Sequence, residues 1–462
     1  MTAATDEVNP ASPATSRQPP AAPAPAPASA AASSATLKRD RAIVVFAAFA
    51  FAYFFSALIR SITATLSPVL TQEFSLNARD LGLLAGGYFL GFAATQLPLG
   101  ALLDRHGPKK VLTCFLTVAV AGCIAFSMAS GFSGLLAARI LCGVGVSACL
   151  MAPLTGYRTW FDAAAQLRAN SWMLMSGSLG MVASTLPVQW LVPVFGWRPL
   201  FLALAGFVTL AIVLLGWLAP GWRQSHPNSP VSAALLPQSA LAGSSAGQPS
   251  YAEVWRHPYF RKMAPIGFFC YGGLLAMQTL WVVPWMTRVA GYSPIQAATG
   301  FFWINVSMLL TFWAWGLVNP WLARKGRHAD QLISWGLPSS FAVMAVLIAA
   351  GGALGSWSEA VLAMYCMACS FVSLSQPAVG MAFPQALAGR ALSAYNLVLF
   401  TGIFIVQWGI GLMIDGFKGL GWSEPDAFRA AFAVFLLCCM ASYVHFVSVK
   451  SDNRTAPERT GP

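Results

Sequence analysis

Gly100-Ala-Leu-Leu-Asp104-Arg105-His-Gly107-Pro-Lys109-Lys110 puts one acid and three bases into a short turn between two long apolar runs. Charge is scarce elsewhere: 9% of residues are charged, 57% are hydrophobic, and mean hydropathy is +0.64. A soluble domain carries about a quarter charged residues. In hydrocarbon an ionised side chain costs several kcal/mol, so this cluster belongs at a membrane surface, joining two spanning helices. Working outward from it, twelve apolar runs can be placed, near 42–69, 79–102, 111–130, 133–157, 170–194, 199–219, 263–287, 295–320, 330–352, 359–383, 391–414 and 428–449. Each reaches the roughly 20 residues that a spanning helix needs. A membrane barrel would show short alternating segments instead. The fold expected is an all-α membrane protein of twelve transmembrane helices.

Residues 1–36 are mostly Ala, Pro, Ser and Thr. They bury too little surface to offset ordering entropy and are predicted to form a disordered cytoplasmic tail. The N-terminal region lacks early positive charge, and the apolar run after Arg41 is too long for a signal peptide. It reads as an uncleaved first span whose start Lys38, Arg39 and Arg41 hold on the cytoplasmic side. The expected division is an N-terminal half at 37–219, a cytoplasmic linker at 220–262, a C-terminal half at 263–450 and a tail at 451–462. With both termini on the cytoplasmic side of an inner membrane, the outer segments hold only Arg79, Arg198, Arg288, Lys418 and Arg429 of the 27 lysines and arginines. That asymmetry follows the positive-inside rule. The net charge of +12 therefore reflects insertion and contact with anionic membrane lipids. No basic face with interleaved aromatics supports a nucleic-acid partner.

The second signal is an internal repeat. Phe74-Ser75 before Gly82 recurs as Tyr292-Ser293 before Gly300, and Arg168-Ala169-x-Ser171 recurs as Arg390-Ala391-x-Ser393. Gly196-Trp197 recurs as Gly421-Trp422. An offset of six spans preserves orientation, so the halves are parallel repeats. The charged turn is degenerate in the second half, where Ala323 precedes Arg324-Lys325-Gly326-Arg327 and no acid matches Asp104.

The order Gly-x-x-x-Asp-Arg-x-Gly-x-Lys-Lys at 100–110 resembles the signature loop between helices 2 and 3 of major facilitator superfamily transporters. Arg139-Ile-Leu-Cys-Gly143-Val-Gly145 resembles the fourth-helix motif of the same superfamily. The resemblance covers roughly residues 40–450. It implies two six-helix repeats with a substrate path between them, and alternating access. It also implies a gating role for Gly100, Asp104, Arg105 and Gly107, with Arg168 as a partner for the Asp104 carboxylate. The alternative is that the turn only sets topology. Ser176-Gly177-Ser178-Leu-Gly180 and Pro187 match poorly the Gly-Pro-rich fifth-helix motif of drug–proton antiporters.

Arg60 and Arg139 are the only cations placed inside spans, and no Asp or Glu falls in the middle of one. An unpaired guanidinium in lipid is costly, so both should face the interior, where each could hold an anionic group through a bidentate contact. The alternatives are snorkelling to the surface and bonding to backbone carbonyls of neighbouring helices. Gln278, Asn305 and Asn396 are candidates to line the path, since amides in lipid seek polar partners. Gly82, Gly86, Gly87 and Gly91 give a small-residue spacing that predicts close helix contact. His445 reads as an interface residue, and Cys366 and Cys369 as packing. No metal triad, nucleophile–base pair or phosphate loop is visible, so no enzyme, metal or cofactor is expected.

The reading is a secondary carrier that moves a small solute, an organic anion, by alternating access. An arginine in the first span is similar to the branch that moves organic anions. Its partners are the anionic substrate, membrane lipids and a coupling proton or ion. Two other readings stay open: proton-driven efflux of hydrophobic drugs, and a membrane receptor that transports nothing.

Overall fold

The structure is a computed structural model that describes residues 2, 37–221 and 251–449. The two expected tails and most of the linker fall outside the described residues. The chain groups into two units, Met1–Thr36 and Leu37–Pro462, and the architecture belongs to the second.

Every element among the described residues is helical. The first half holds α1 (Arg39–Phe74), α2 (Ala78–Ala94), α3 (Gln96–Met128), α4 (Phe132–Val146), α5 (Ala148–Trp160), α6 (Ala163–Ala183), α7 (Leu186–Phe195) and α8 (Trp197–Leu218). The second holds α9 (Tyr251–Arg256), α10 (Pro258–Arg288), α11 (Pro294–Arg324), α12 (Ala329–Ala350), α13 (Ser358–Cys369), α14 (Ser375–Met381), α15 (Gln385–Gly419) and α16 (Glu424–Ser448). Among the described residues nine stretches are long and apolar enough to cross a membrane, and the bent pair α6–α7 makes a tenth. The expected twelve require two more divisions. Both fall at glycines that leave helical geometry: Gly107 inside α3 (φ 78, ψ 161), and Gly351 and Gly355 (φ 51 and 48) between α12 and α13. Positive φ is a conformation that glycine adopts without steric cost.

The sequence explains the other irregularities. Pro98 has no amide for the Ala94 carbonyl and its ring crowds that turn, so α2 gives way to α3 at Thr95. Pro187 does the same near Ala183, and α6 and α7 meet at a 43° bend. The Ser184 carbonyl freed there accepts from Thr65 Oγ1 at 2.7 Å.

Within the expected linker, at 220–262, α9 is already helical and precedes α10, which begins at Pro258. His257 Nδ1 accepts from the Tyr259 amide at 3.3 Å, and proline at the first helical position is preorganised for a start. Arg261 and Lys262 gave this stretch the look of a loop. Lys262 is nevertheless buried against Asp330 at 2.7 Å, and Tyr259 donates to the same carboxylate at 2.7 Å.

The glycines of α2 serve two neighbours. Gly82 and Gly86 face Gln407 and Phe404 of α15 in the other half, while Gly87 and Gly91 face Leu136 and Ile140 of α4. A Cβ on Gly82 would lie 2.5 Å from the Gln407 carbonyl oxygen, and one on Gly411 would strike the Ala78 carbonyl. Backbones touch here, and any side chain would part them.

The halves therefore meet at the end of the bundle that carries Asn77. There α1 also packs on residues 277–288 of α10. At the opposite end, which carries the Gly107 turn, α3 stays against α15, while α5 does not pack on α13 or α14 among the described residues.

Candidate functional site

Arg60 and Arg139 are brought together on the inner side of α1. Arg139 is fully buried; its Nη1 donates to the Ile59 carbonyl at 2.9 Å and its Nη2 to the Arg60 carbonyl at 3.4 Å. Its guanidinium lies 5.1 Å from the centre of the Tyr88 ring. This is the arrangement in which a guanidinium bonds to backbone carbonyls of a neighbouring helix. Arg60 is half-buried, and its Nη2 reaches only the Met181 thioether, at 3.5 Å. The Nε of each arginine is buried without a hydrogen-bond partner. Among the described residues no carboxylate pairs with either.

Local sequence sets this geometry. Gly143 lets α4 come against the Tyr88 backbone of α2, which seats Arg139 one turn earlier beside α1. Gly180 brings α6 onto the Phe54 backbone, and the Ser61 hydroxyl meets that of Ser184 at 2.7 Å. Arg139 is thus held by carbonyl dipoles and an aromatic face beside the α1 turn that carries Arg60, and no counter-charge joins either. Such a site favours an anion.

In the second half, α10 departs from regular α geometry twice, with π-helical turns at Gly267–Tyr271 and Met277–Trp281. Turns of this kind recur at functional sites. Gln278 lies in the second turn, and its Nε2 donates to Asn305 Oδ1 of α11 at 3.2 Å. Asn305 in turn donates to the Phe301 carbonyl at 3.0 Å. Asn396 belongs elsewhere, accepting from Gln376 Nε2 at 2.6 Å. The structure therefore joins Arg60 to Arg139 and Gln278 to Asn305, and it pairs Asn396 with a residue that the sequence did not single out. A further buried amide was missed: Gln407 donates to Thr279 Oγ1 at 2.8 Å while its own Oε1 lacks a partner. A glutamine deep in the eleventh run was the signal for it. Two shallow clefts of about 470 and 580 Å3 open at the Asn77 end of the second half, one beside Tyr292 and Glu359 and the other beside Trp422 and Arg429. Neither borders Arg60.

The Gly107 turn is built as its sequence requires. Gly107 takes positive φ, Pro108 starts the next helical run, and Lys109 Nζ donates to the Ala219 carbonyl at the end of α8, at 3.0 Å. The expected Asp104–Arg168 pair is not made: both side chains are exposed and no ion pair joins them. The physical reason is that both side chains face water at this end, where each charge is hydrated without a partner. Gly100 lies within a helix with open space where a Cβ would be. His445 lies 3.4 Å from the Arg261 carbonyl, and Cys369 Sγ points to the Cys270 carbonyl at 3.5 Å.

Comparison with known proteins agrees with this architecture. The chain is similar to a probable sulfoacetate transporter of Cupriavidus necator, 26% identical over 53% of this chain and 57% of that protein. It is 28% identical to a 4-hydroxybenzoate transporter of Acinetobacter baylyi, over 32% of this chain and 33% of that protein. It is 27% identical to a gallate transporter of Pseudomonas putida, over 55% of this chain and 61% of that protein. The chain thus matches between a third and three fifths of the length of these relatives. Among solved structures, the D-xylose-proton symporter superposes with a TM-score of 0.71, at 13% identity, covering 89% of this chain and 98% of that one. A bacterial homolog of the human lysosomal transporter Spinster, inward-facing and occupied, gives 0.69 at 14% identity, covering 91% of this chain and 100% of that one. The family model for the Major Facilitator Superfamily matches residues 49–407. This multi-pass helical membrane protein belongs to the Major Facilitator Superfamily.

Proposed function

We propose that the chain is a secondary carrier that moves a small organic anion across a bacterial inner membrane by alternating access. It does so through twelve spans, with the Gly107 end and both termini in the cytoplasm. The observation that carries this reading is the Arg60–Arg139 pair, two guanidinium groups in contact through one stretch of backbone with no carboxylate beside them. Arg60, half-buried with an unused Nε, holds the substrate's carboxylate or sulfonate through its planar fork. Arg139 fixes the Ile59–Arg60 backbone and adds its field. Gln278 and Asn305 offer amides from the other half, and Asn396 lines the path further along. Gly100, Asp104, Arg105, Gly107 and Arg168 gate the cytoplasmic end in the state opposite to this one. The named relatives support the substrate class, since sulfoacetate, 4-hydroxybenzoate and gallate are all organic anions.

The test is uptake into proteoliposomes of a panel of benzoates, short sulfonates and sugar acids, with pH and sodium gradients imposed in turn to find the coupling ion. Arg60→Gln is expected to cut uptake of the accepted anion at least about tenfold, the loss of one charge-assisted contact. Undiminished uptake would remove Arg60 from the site. Extrusion of cationic dyes driven by protons and indifferent to Arg60→Gln would replace this reading with drug export.

A further inference from the structure

The Asn77 end of the bundle carries a polar bridge between the halves that no motif announces. Helix α2 begins with four amides that its own turns cannot satisfy. Asn77 caps part of the start: its side chain accepts from the Asp80 amide at 2.9 Å and its carbonyl from the Leu81 amide at 3.0 Å. The amides of Ala78 and Arg79 remain. Asp415, near the end of α15 in the other half, takes both, with Oδ1 at 3.2 Å from Ala78 N and Oδ2 at 2.7 Å from Arg79 N. The carboxylate also lies at the positive end of the α2 dipole. Glycine contacts on both sides make this reach possible, with Gly411 against the Ala78 backbone and Gly82 against Gln407.

The repeat sharpens the point. The turn before α2 matches the turn before α11, as Phe74-Ser75 matches Tyr292-Ser293. Helix α11 needs no help from the other half, because Ser293 and Gln296 cap it reciprocally: Ser293 N donates to Gln296 Oε1 at 2.9 Å and Gln296 N to Ser293 Oγ at 3.3 Å. Of two related helix starts, one closes on itself and the other is closed by the opposite half. The remaining acids near Asp415 are engaged within their own halves. Glu424 lies beside Lys418 and Arg288, Asp426 beside Arg429, and Glu73 beside Arg198.

We infer that Asp415 is a latch: it holds the Asn77 end shut in the state seen here, and it must release the α2 amides before that end can open. The inference rests on the alternating-access reading. Opening exchanges two charge-assisted bonds for bonds to water, so the latch weights the equilibrium between closed and open by roughly five- to thirtyfold.

The experiment is a distance measurement across the Asn77 end in the full chain in lipid nanodiscs, with no substrate. Spin labels at Gln72→Cys and Leu420→Cys, both exposed, are introduced in a Cys114→Ser, Cys438→Ser background. Asp415→Ala is expected to raise the long-distance population roughly tenfold over the parent, and Asp415→Asn, which keeps an acceptor and loses the charge, by a smaller factor. Asp330→Ala, which removes a carboxylate bonded within one half, is the control and should leave the distribution as it is. A distribution unchanged by Asp415→Ala overturns the latch. Should that variant not fold, an unchanged distribution in Asp415→Asn overturns it equally. A parent that moves no anion while Asp415→Ala still opens the end would sink the carrier reading and leave the latch standing. A working carrier with an unmoved distribution would do the reverse.

Discussion

Replacing Arg139 by Met separates what this residue does for stability from what it does for transport. The guanidinium is fully buried, with one good bond to the Ile59 carbonyl, a long one to Arg60 and the Tyr88 ring face as its compensation. The good bond contributes about 1.5–3 kcal/mol and the ring up to about 2. Against them stands a desolvation cost of several kcal/mol for an ion without a counter-ion. The two carbonyls lie inside α1, where the helix supplies each with an amide four residues on, so removing Arg139 orphans neither. The net change in stability is expected to stay within about 2 kcal/mol of zero, a shift of a few degrees in thermal midpoint, and can be stabilising. Transport should respond far more. A unit charge about 6 Å from a bound anion, at an effective dielectric of about 20, contributes about 3 kcal/mol, or roughly 100-fold in affinity. The assay pairs thermal melting in detergent with anion uptake in proteoliposomes, read as apparent KM. Arg139→Lys, which keeps the charge and loses the fork, should fall between. A Met variant that keeps its KM, or one that melts far below the parent, would show that Arg139 is structural and that its field does not reach the substrate.

Gly411→Val should force the α2–α15 seam apart at the Ala78 carbonyl; uptake falls and the Gln72–Leu420 distance lengthens, whereas an unchanged distance would mean that the backbone contact is not close. Asp330→Ala strips the buried Lys262 and Tyr259 of their shared acceptor and should cost roughly 2–4 kcal/mol, read as a lower melting temperature with apparent KM retained. Asp104→Asn should leave thermal stability as it is, because the carboxylate is exposed and makes no ion pair in this state, and under the proposed gating role it should slow turnover. A large loss of stability in this last variant would give Asp104 a structural part.

Much of the fold could be read from hydropathy and glycine alone. Apolar runs placed the long helices to within several residues, and the spacing of Gly82, Gly86, Gly87 and Gly91 announced a close helix contact, which the structure divides between α15 and α4. Helix α10 extends ahead of its apolar run, where Arg261 and Lys262 look like surface charge until Asp330, far along the chain, comes beside Lys262. The site was half legible. Uncompensated arginines are visible wherever acids are missing, but whether a guanidinium meets a carbonyl or an open path depends on neighbours that only packing supplies. Arg139 met carbonyls, and Arg60 was left with a free Nε. Asp415 was visible as an acid at a helix end. Its partner is two backbone amides of the other half, and backbone amides carry no sequence mark.

The same electrostatics bears on how binding is coupled to movement. Closing the bundle around an empty site would take Arg60 fully out of water beside an already buried Arg139, a cost of several kcal/mol with nothing to repay it. A bound anion would change that sign: under the proposed site its charge would offset one guanidinium, so the loaded site could be enclosed where the empty one resists. Under the proposed carrier reading, the cations alone would slow the empty return without any carboxylate in the spans. The latch at Asp415 adds the complementary bias at the far end, favouring a closed Asn77 face until substrate or potential repays its release. Exchange of labelled for unlabelled anion should therefore run faster than net efflux. If the two rates are equal in parent and Arg60→Gln alike, the charge of the site does not govern closure.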